Sequence, residues 1–230
     1  GLRPKPMIEI GGIPILWHIM KIYSNAGFND FIICLGYKGS FIKKYFLDYA
    51  AASSNLSINL RNNEYKILDG IPENWNIELI NTGKKSMTGS RIKKIQNYIG
   101  SESFMLTYGD CVIDLDINKV VNFHKKQNRL LTITAAQPKA RWGALDINNG
   151  IVKSFKEKPK GDGNWINGGF MVCENKIFDY LSTDDNCIFE QGPMDKIADE
   201  GQMAAYQHDG FWHPMDTLKD KLDLNKLWEQ

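Results

Sequence analysis

The stretch Phe31-Ile32-Ile33-Cys34-Leu35 constrains the fold of this chain more than any other. Five consecutive apolar residues, bounded by Asn29-Asp30 and Gly36, leave no alternate polar position for solvent, so the segment reads as a strand buried on both faces. Such a strand needs helices to cover it. The residues before it supply one: in 14–26, Ile15, Trp17, Ile19, Met20, Ile22 and Tyr23 fall mostly on helical spacing, Pro14 holds a tolerated first-turn position, and Gly27 stops the run. A helix feeding a buried strand predicts a βαβ unit.

The same alternation continues. Residues 41–52 return to helical spacing, and Ile77-Glu78-Leu79-Ile80 is a short strand after a polar, poorly periodic stretch. Ser103-Phe104-Met105-Leu106-Thr107-Tyr108 is apolar and ends at Gly109-Asp110, which puts a carboxylate at the C-terminal end of a central strand, the edge where open α/β sheets bind ligands. Residues 131–136 read as a strand, 144–147 and 151–155 as a hairpin joined at Asn148-Asn149-Gly150, and 168–172 as a further strand. Residues 175–181, 195–200 and 222–228 read as helices. A length of 230 residues suits one α/β domain with a small elaboration, since two domains would each have to close a core.

Composition removes several classes of function. With 43% apolar and 24% charged residues the chain is globular, and a net charge of +1 gives no electrostatic hold on nucleic acid or a membrane surface. Anionic ligands must therefore be bound locally. The four cysteines, Cys34, Cys111, Cys173 and Cys187, form no CxxC pair, which predicts neither a zinc site nor a disulfide framework and fits a reducing, cytoplasmic setting. No apolar run approaches the about 20 residues a bilayer requires. No strand precedes Arg3-Pro4-Lys5-Pro6-Met7, which predicts that a first strand belongs ahead of it.

Three groups of residues offer chemistry. The prolines around Lys5 stiffen its backbone and hold the cation; the plainer reading is a solvated loop lysine. Asp110, beside Gly109, and Asp216, in Phe211-Trp212-His213-Pro214-Met215-Asp216-Thr217, each follow an apolar stretch. Together they would suit Mg²⁺, which takes one or two carboxylates plus water and phosphate oxygens; separately each could be a turn former or a helix cap. Asp114 and Asp116 are nearby alternatives that read better as caps. Residues 155–161 and 165–170 flank a polar loop in which Glu and Asn could accept sugar hydroxyls and Lys could neutralise a phosphate, or which could be only a charged hairpin tip. The four histidines share no ligand spacing, and the six tryptophans read as packing groups.

Together these stretches resemble the sugar nucleotidyltransferases, and among them the branch that uses CTP and glucose 1-phosphate. Nine segments match in order: residues 3–12 (RPKPMIEIGG), 14–20 (PILWHIM), 31–39, 86–94 (SMTGSRIKK), 107–116, 143–147, 157–163, 166–170 and 210–217. The resemblance implies a doubly wound, mostly parallel, Rossmann-like sheet in a single domain over residues 1–230, with a sugar-side β lobe inserted at about 137–170. It implies that Lys5 contacts phosphate and that Asp110 and Asp216 hold Mg²⁺. Ser86, Arg91 and Gly109 fall on nucleotide-contacting positions, and Arg141, Gly143, Glu157, Lys158, Asn167 and Gly168 on the sugar phosphate side. It further implies transfer of a nucleotidyl group to a sugar 1-phosphate for surface-polysaccharide deoxysugar synthesis, in a homo-oligomer.

The pattern of Met87-Thr88-Gly89-Ser90-Arg91 favours CTP; uridylyl or thymidylyl transfer and a non-catalytic sugar-nucleotide sensor are the alternatives. Three departures stand out. The family's opening strand and Gly-rich phosphate loop are expected ahead of Gly1, Cys111 stands where glycine is usual, and Gly192 stands where an acidic residue is usual.

Overall fold

The computed structural model describes residues 3–70, 73–138, 144–148, 151–156 and 165–229. A 3-10 turn over Lys5–Met7 leads into a short ladder of β1 (Glu9–Ile10) and β2 (Ile13–Pro14), then helix α1 (Ile15–Asn25). α1 forms where the spacing predicts it, with Ile15, Leu16, Ile19, Met20 and Tyr23 buried. Gly27, at φ +93°, ends it in a conformation that a side chain would strain. β3 (Asp30–Leu35), α2 (Gly39–Ala52) and the hairpin of β4 (Asn55–Asn59) and β5 (Glu64–Asp69) follow, and β6 (Asn76–Asn81) returns to pair with β3. That pairing is parallel from Asp30 opposite Asn76 to Leu35 opposite Asn81, as a βαβ crossover requires.

Next come two short helices, α3 (Thr88–Lys94) and α4 (Gln96–Ile99), strands β7 (Phe104–Thr107) and β8 (Cys111–Ile113), helix α5 (Ile117–Gln127) and strand β9 (Leu131–Ala136). The expected hairpin is present as β10 (Ala144–Asn148) and β11 (Ile151–Lys156), within the expected sugar-side lobe. β12 (Ile166–Cys173), α6 (Pro193–Asp199), β13 (Met203–His208), β14 (Trp212–Pro214) and α7 (Leu218–Trp228) complete the order. Residues 175–180, expected as an α-helix, form a 3-10 segment; its tighter turn buries the neighbours Ile177 and Phe178 completely.

The central ladder runs β13-β9-β12-β7. β13 lies parallel to β9, while β12 runs antiparallel to both its neighbours. The described pairings are therefore mixed, with β3–β6 and β9–β13 the long parallel ones. Alternate residues of a strand point to opposite faces, and β12 shows what covers each. Phe170 and Val172 pack with Ile15 and Tyr23 of α1 and Ile117 and Val120 of α5. Met171 and Cys173 pack on the other side with Leu131, Phe178, Phe189 and Ile197. Helices thus cover both faces, the doubly wound arrangement the apolar strands predict.

Candidate active site

Backbone pairing brings the two aspartates together. β14 lies antiparallel to β8 with Pro214 opposite Cys111, and the Met215 N–H donates to the carbonyl of Asp110 at 2.8 Å. Asp216, one residue on, is thereby delivered to Asp110 from 106 positions away in the chain. Neither carboxylate is a cap. The cap of α7 is Thr217, whose hydroxyl accepts from Asp220 N–H, and the Asp220 carboxylate accepts from the N–H groups of Asp216 and Thr217. Partial burial pulls the Asp220 carboxyl upward, but the Thr217 hydroxyl, which donates to it at 2.9 Å, and then the two N–H groups outweigh that and hold it below its ordinary range. Of the two nearby alternatives, Asp116 caps α5 by accepting from Lys119 N–H, and Asp114 pairs with His208 at 2.8 Å.

Lys5 completes the cluster. Its Nζ lies 2.8 Å from Asp110 Oδ2 and also donates to Asp216 Oδ1. Gly109 explains how the lysine arrives: a Cβ there would stand 3.0 Å from Pro6 Cγ, so the bare glycine lets the stiff Pro4-Lys5-Pro6 segment lie against the strand end. Burial lowers the affinity of Lys5 for its proton, but the hydrogen bonds and charges of the two aspartates outweigh it and raise its pKa. The side chains are 38%, 36% and 50% exposed for Lys5, Asp110 and Asp216, so the cluster is open to a ligand. Two carboxylates and one ammonium leave one net negative charge. Both carboxylates within reach of one Nζ form a donor set that fits a hard cation such as Mg²⁺. Among the described residues no group of three or more His, Cys, Asp or Glu side chains is arranged to hold a metal.

On the expected nucleotide side, Arg91 spans two strand ends. Its Nη1 donates to Thr82 Oγ1 at 2.8 Å and to Leu35 O at 3.3 Å. Gly36 makes room for it, since a Cβ there would stand 2.5 Å from Nη2. Ser86 is buried, and its hydroxyl is engaged by Thr82 O, Asp185 and Lys94 Nζ. It belongs to a clasp that fastens α3 to residues 182–190. Met87 N–H donates to Asp185 O, Ser90 N–H to Cys187 O, and Ser90 Oγ to Thr183 O.

On the sugar side, Asn167 and Gly168 open β12 at a register shift against β9. A Cβ on Gly168 would stand 2.9 Å from Thr134 O, and Gly168 O accepts from Trp212 Nε1 at 2.8 Å. The expected sugar-side residues Arg141, Gly143, Glu157 and Lys158 lie outside the described residues. Cys111 fills the space beneath this turn, with Sγ 3.5 Å from Gly168 O. Burial, with help from the neighbouring Asp110 charge, pushes its thiol up to about 12, so it stays protonated and packs as a small apolar group. Gly192, the other departure, is at φ +87° before α6, where Asp195 accepts from its N–H; an acidic side chain would be strained there.

The sequence alone did not single out Glu190, Asp185 or Asp220, and it reached Tyr108, Thr88 and Lys94 only as members of matching stretches, with no role of their own. The one available signal was position: Tyr108 directly precedes Gly109-Asp110, and Glu190 lies two residues before the odd Gly192.

Comparisons with known proteins give the chain's family and fold. The nucleotidyl transferase family model matches residues 2–229. The chain is 49% identical over 230 residues to a glucose-1-phosphate cytidylyltransferase of Salmonella typhimurium, covering 100% of this chain and 89% of that protein. It is 44% identical over 227 residues to a probable glucose-1-phosphate cytidylyltransferase of Bacillus subtilis, covering 99% and 89% respectively. The crystal structure of HddC from Yersinia pseudotuberculosis superposes with a TM-score of 0.72 at 25% identity, covering 99% of this chain and 91% of that one. A sheet wound on both faces, a charged cluster at its ligand edge and a match over nearly every residue lead to one assignment: the chain belongs to the nucleotidyl transferase family.

Proposed function

We propose that this chain transfers a cytidylyl group from CTP to glucose 1-phosphate, giving CDP-glucose and pyrophosphate. The observation that carries the reading is the convergence of Lys5, Asp110 and Asp216 in a chain 49% identical along its whole length to a glucose-1-phosphate cytidylyltransferase.

An oxygen of the sugar phosphate bonds to the α-phosphorus of CTP as the bond to the bridging oxygen breaks, and pyrophosphate leaves with that electron pair. The attacking phosphate has a second pKa near about 6 and is already ionised at neutral pH, so a general base adds little. What opposes reaction is repulsion between two anions. Lys5, kept protonated by its aspartates, offsets part of that charge, and the rigid Pro4-Lys5-Pro6 turn fixes where it acts. Asp110 and Asp216 would hold Mg²⁺, whose charge supplies further neutralisation when bound. In this reading Arg91, Ser86 and Gly109 shape the nucleotide side, and Arg141, Gly143, Glu157, Lys158, Asn167 and Gly168 receive the sugar phosphate. A sensor without catalysis would not need two acidic side chains converging on one lysine.

The reading includes a cytoplasmic homo-oligomer that supplies CDP-glucose to surface-polysaccharide synthesis. The β4–β5 hairpin supports assembly, because Ile58, Leu60, Tyr65, Ile67 and Leu68 are each at least 45% exposed. A concentrated apolar surface of this kind marks a contact face. Light scattering of the purified chain tests it, with a monomer at high concentration as the contrary result. The reaction is tested by pyrophosphate release across four triphosphates and several sugar 1-phosphates with Mg²⁺. CTP with glucose 1-phosphate should be fastest; a preference for UTP or dTTP would overturn the base assignment.

A further inference from the structure

We infer that Glu190 is a positioning residue that ties the nucleotide side of the site to the sugar side through a hydrogen-bond chain of fixed polarity. The inference rests on the transfer reading for what each end contacts. The chain itself is geometric. Glu190 Oε2 accepts from Thr88 Oγ1 at 2.6 Å, and Oε1 accepts from the Tyr108 hydroxyl at 2.5 Å.

The direction of every link is determined. Thr88 Oγ1 accepts from Phe189 N–H at 2.8 Å, so its own proton goes to Glu190. Tyr108 is tied to the sugar-side strand through its own N–H, which donates to Gly169 O at 3.2 Å, and Gly169 N–H in turn donates to Asn167 Oδ1 at 2.9 Å. The phenol proton also goes to Glu190, whose carboxylate can only accept. Burial first, and then the bond to Glu190, keeps that phenol protonated well above its ordinary range. All donors converge on one carboxylate, and bonds in such a chain strengthen one another.

The ends of the chain matter for function. Thr88 opens α3, in the segment expected to read the base. Asn167 is an expected sugar-side residue, and the Tyr108 ring lies close against Gly169, where a Cβ would stand 2.8 Å from Cδ2. Tyr108 also directly precedes Gly109 and the metal-side Asp110. Glu190 thus fixes two half-sites relative to one another without joining the Lys5 cluster. Glutamine would keep the shape but has one acceptor oxygen and no charge, so the Thr88 and Tyr108 protons can no longer both be given to residue 190.

Steady-state pyrophosphate release by full-length Glu190→Gln, Tyr108→Phe, Thr88→Val and Glu190→Gln/Tyr108→Phe tests this. Glu190→Gln should raise KM for both CTP and glucose 1-phosphate by roughly tenfold, with a smaller change in kcat. Tyr108→Phe should move mainly the glucose 1-phosphate KM, and Thr88→Val mainly the CTP KM. The double variant should be within about twofold of Glu190→Gln alone, since the Tyr108 hydroxyl acts only through a bridge that Glu190→Gln has already opened. Unchanged KM values in Glu190→Gln, or additive losses in the double variant, overturn the inference. If another triphosphate proves to be the substrate, the same KM pattern decides with that pair. If wild-type protein turns over nothing, the transfer reading fails alone; urea midpoints of the two single variants and the double still test the chain, and additive shifts there overturn it.

Discussion

Lys5 and Lys94 each hydrogen-bond an aspartate, yet their surroundings differ in charge and in completeness. Lys94 Nζ has three partners, Asp185 Oδ1 at 2.7 Å, Ser86 Oγ at 2.8 Å and Thr82 O at 3.3 Å. Its three protons are all placed, its charge is matched by one carboxylate, and the hydroxyl between them is buried. Lys5 faces two carboxylates and leaves a negative charge over. Exposed ion pairs contribute little to stability, so the surplus at Lys5 has no evident structural use. Residue type does not separate the two clusters; the unbalanced charge at the ligand edge of the sheet does.

The strongest way to break this comparison is to neutralise a partner in each. Asp110→Asn and Asp216→Asn should each lower turnover by at least about a hundredfold while leaving thermal unfolding near wild type, because in the proposed reading each removes charge that would act on the phosphoryl transition state. Asp185→Asn removes the same charge from the closed clasp and should leave turnover within a few-fold. Pyrophosphate release across a Mg²⁺ titration reads all three. Near-normal turnover in Asp110→Asn or Asp216→Asn would return that residue to an ordinary loop role.

The sequence shows the Lys5 cluster better than the Lys94 clasp, and the reason is physical. Asp110 follows a continuous apolar run that can only be a buried strand, and the prolines around Lys5 limit its backbone, so both are marked by their neighbours. The clasp joins Ser86 and Lys94 to Asp185, 91 residues beyond Lys94, in a loop with no periodicity. α3 was hidden for a related reason: it has seven residues, including Gly89 and Ser90, and is held by Asp185, Cys187 and Thr183 rather than by an apolar stripe of its own. The β4–β5 hairpin carries no buried face to give it alternation. Likewise β8 and β14, three residues each, are too short to show a period, although their pairing brings the aspartates together.

A smaller effect should separate the clusters by stability. Ser86→Ala removes a buried hydroxyl shared by Thr82, Asp185 and Lys94, and losing it should destabilise the chain by about 1–2 kcal/mol. Turnover per folded molecule should change by no more than a few-fold. A large loss of activity at unchanged stability would instead make the Ser86 hydroxyl a direct substrate contact rather than a group that shapes the nucleotide side from behind.

The smallest and most discriminating effect is in the pH dependence of unfolding, because the two clusters titrate at opposite ends. Hydrogen bonds from Lys94 and then Ser86 hold the Asp185 carboxyl below its ordinary 3.8. Its contribution is therefore present above about 3.8 and is lost as pH falls through the depressed folded value. Lys5 has a folded pKa above its ordinary 10.5, so its contribution is complete below that pH and is lost as pH rises through the folded value. Asp185→Asn should thus flatten part of the fall in urea midpoint below about pH 4. Asp220, also depressed, keeps the acid fall from vanishing. Lys5→Met should flatten part of the decline above pH 10.5. Both shifts should be small, since the charged side chains are largely exposed and screened. A Lys5→Met effect confined to the acid limb would mean that the lysine acts through the carboxylates' protonation rather than its own, and the contrast between the two clusters would collapse.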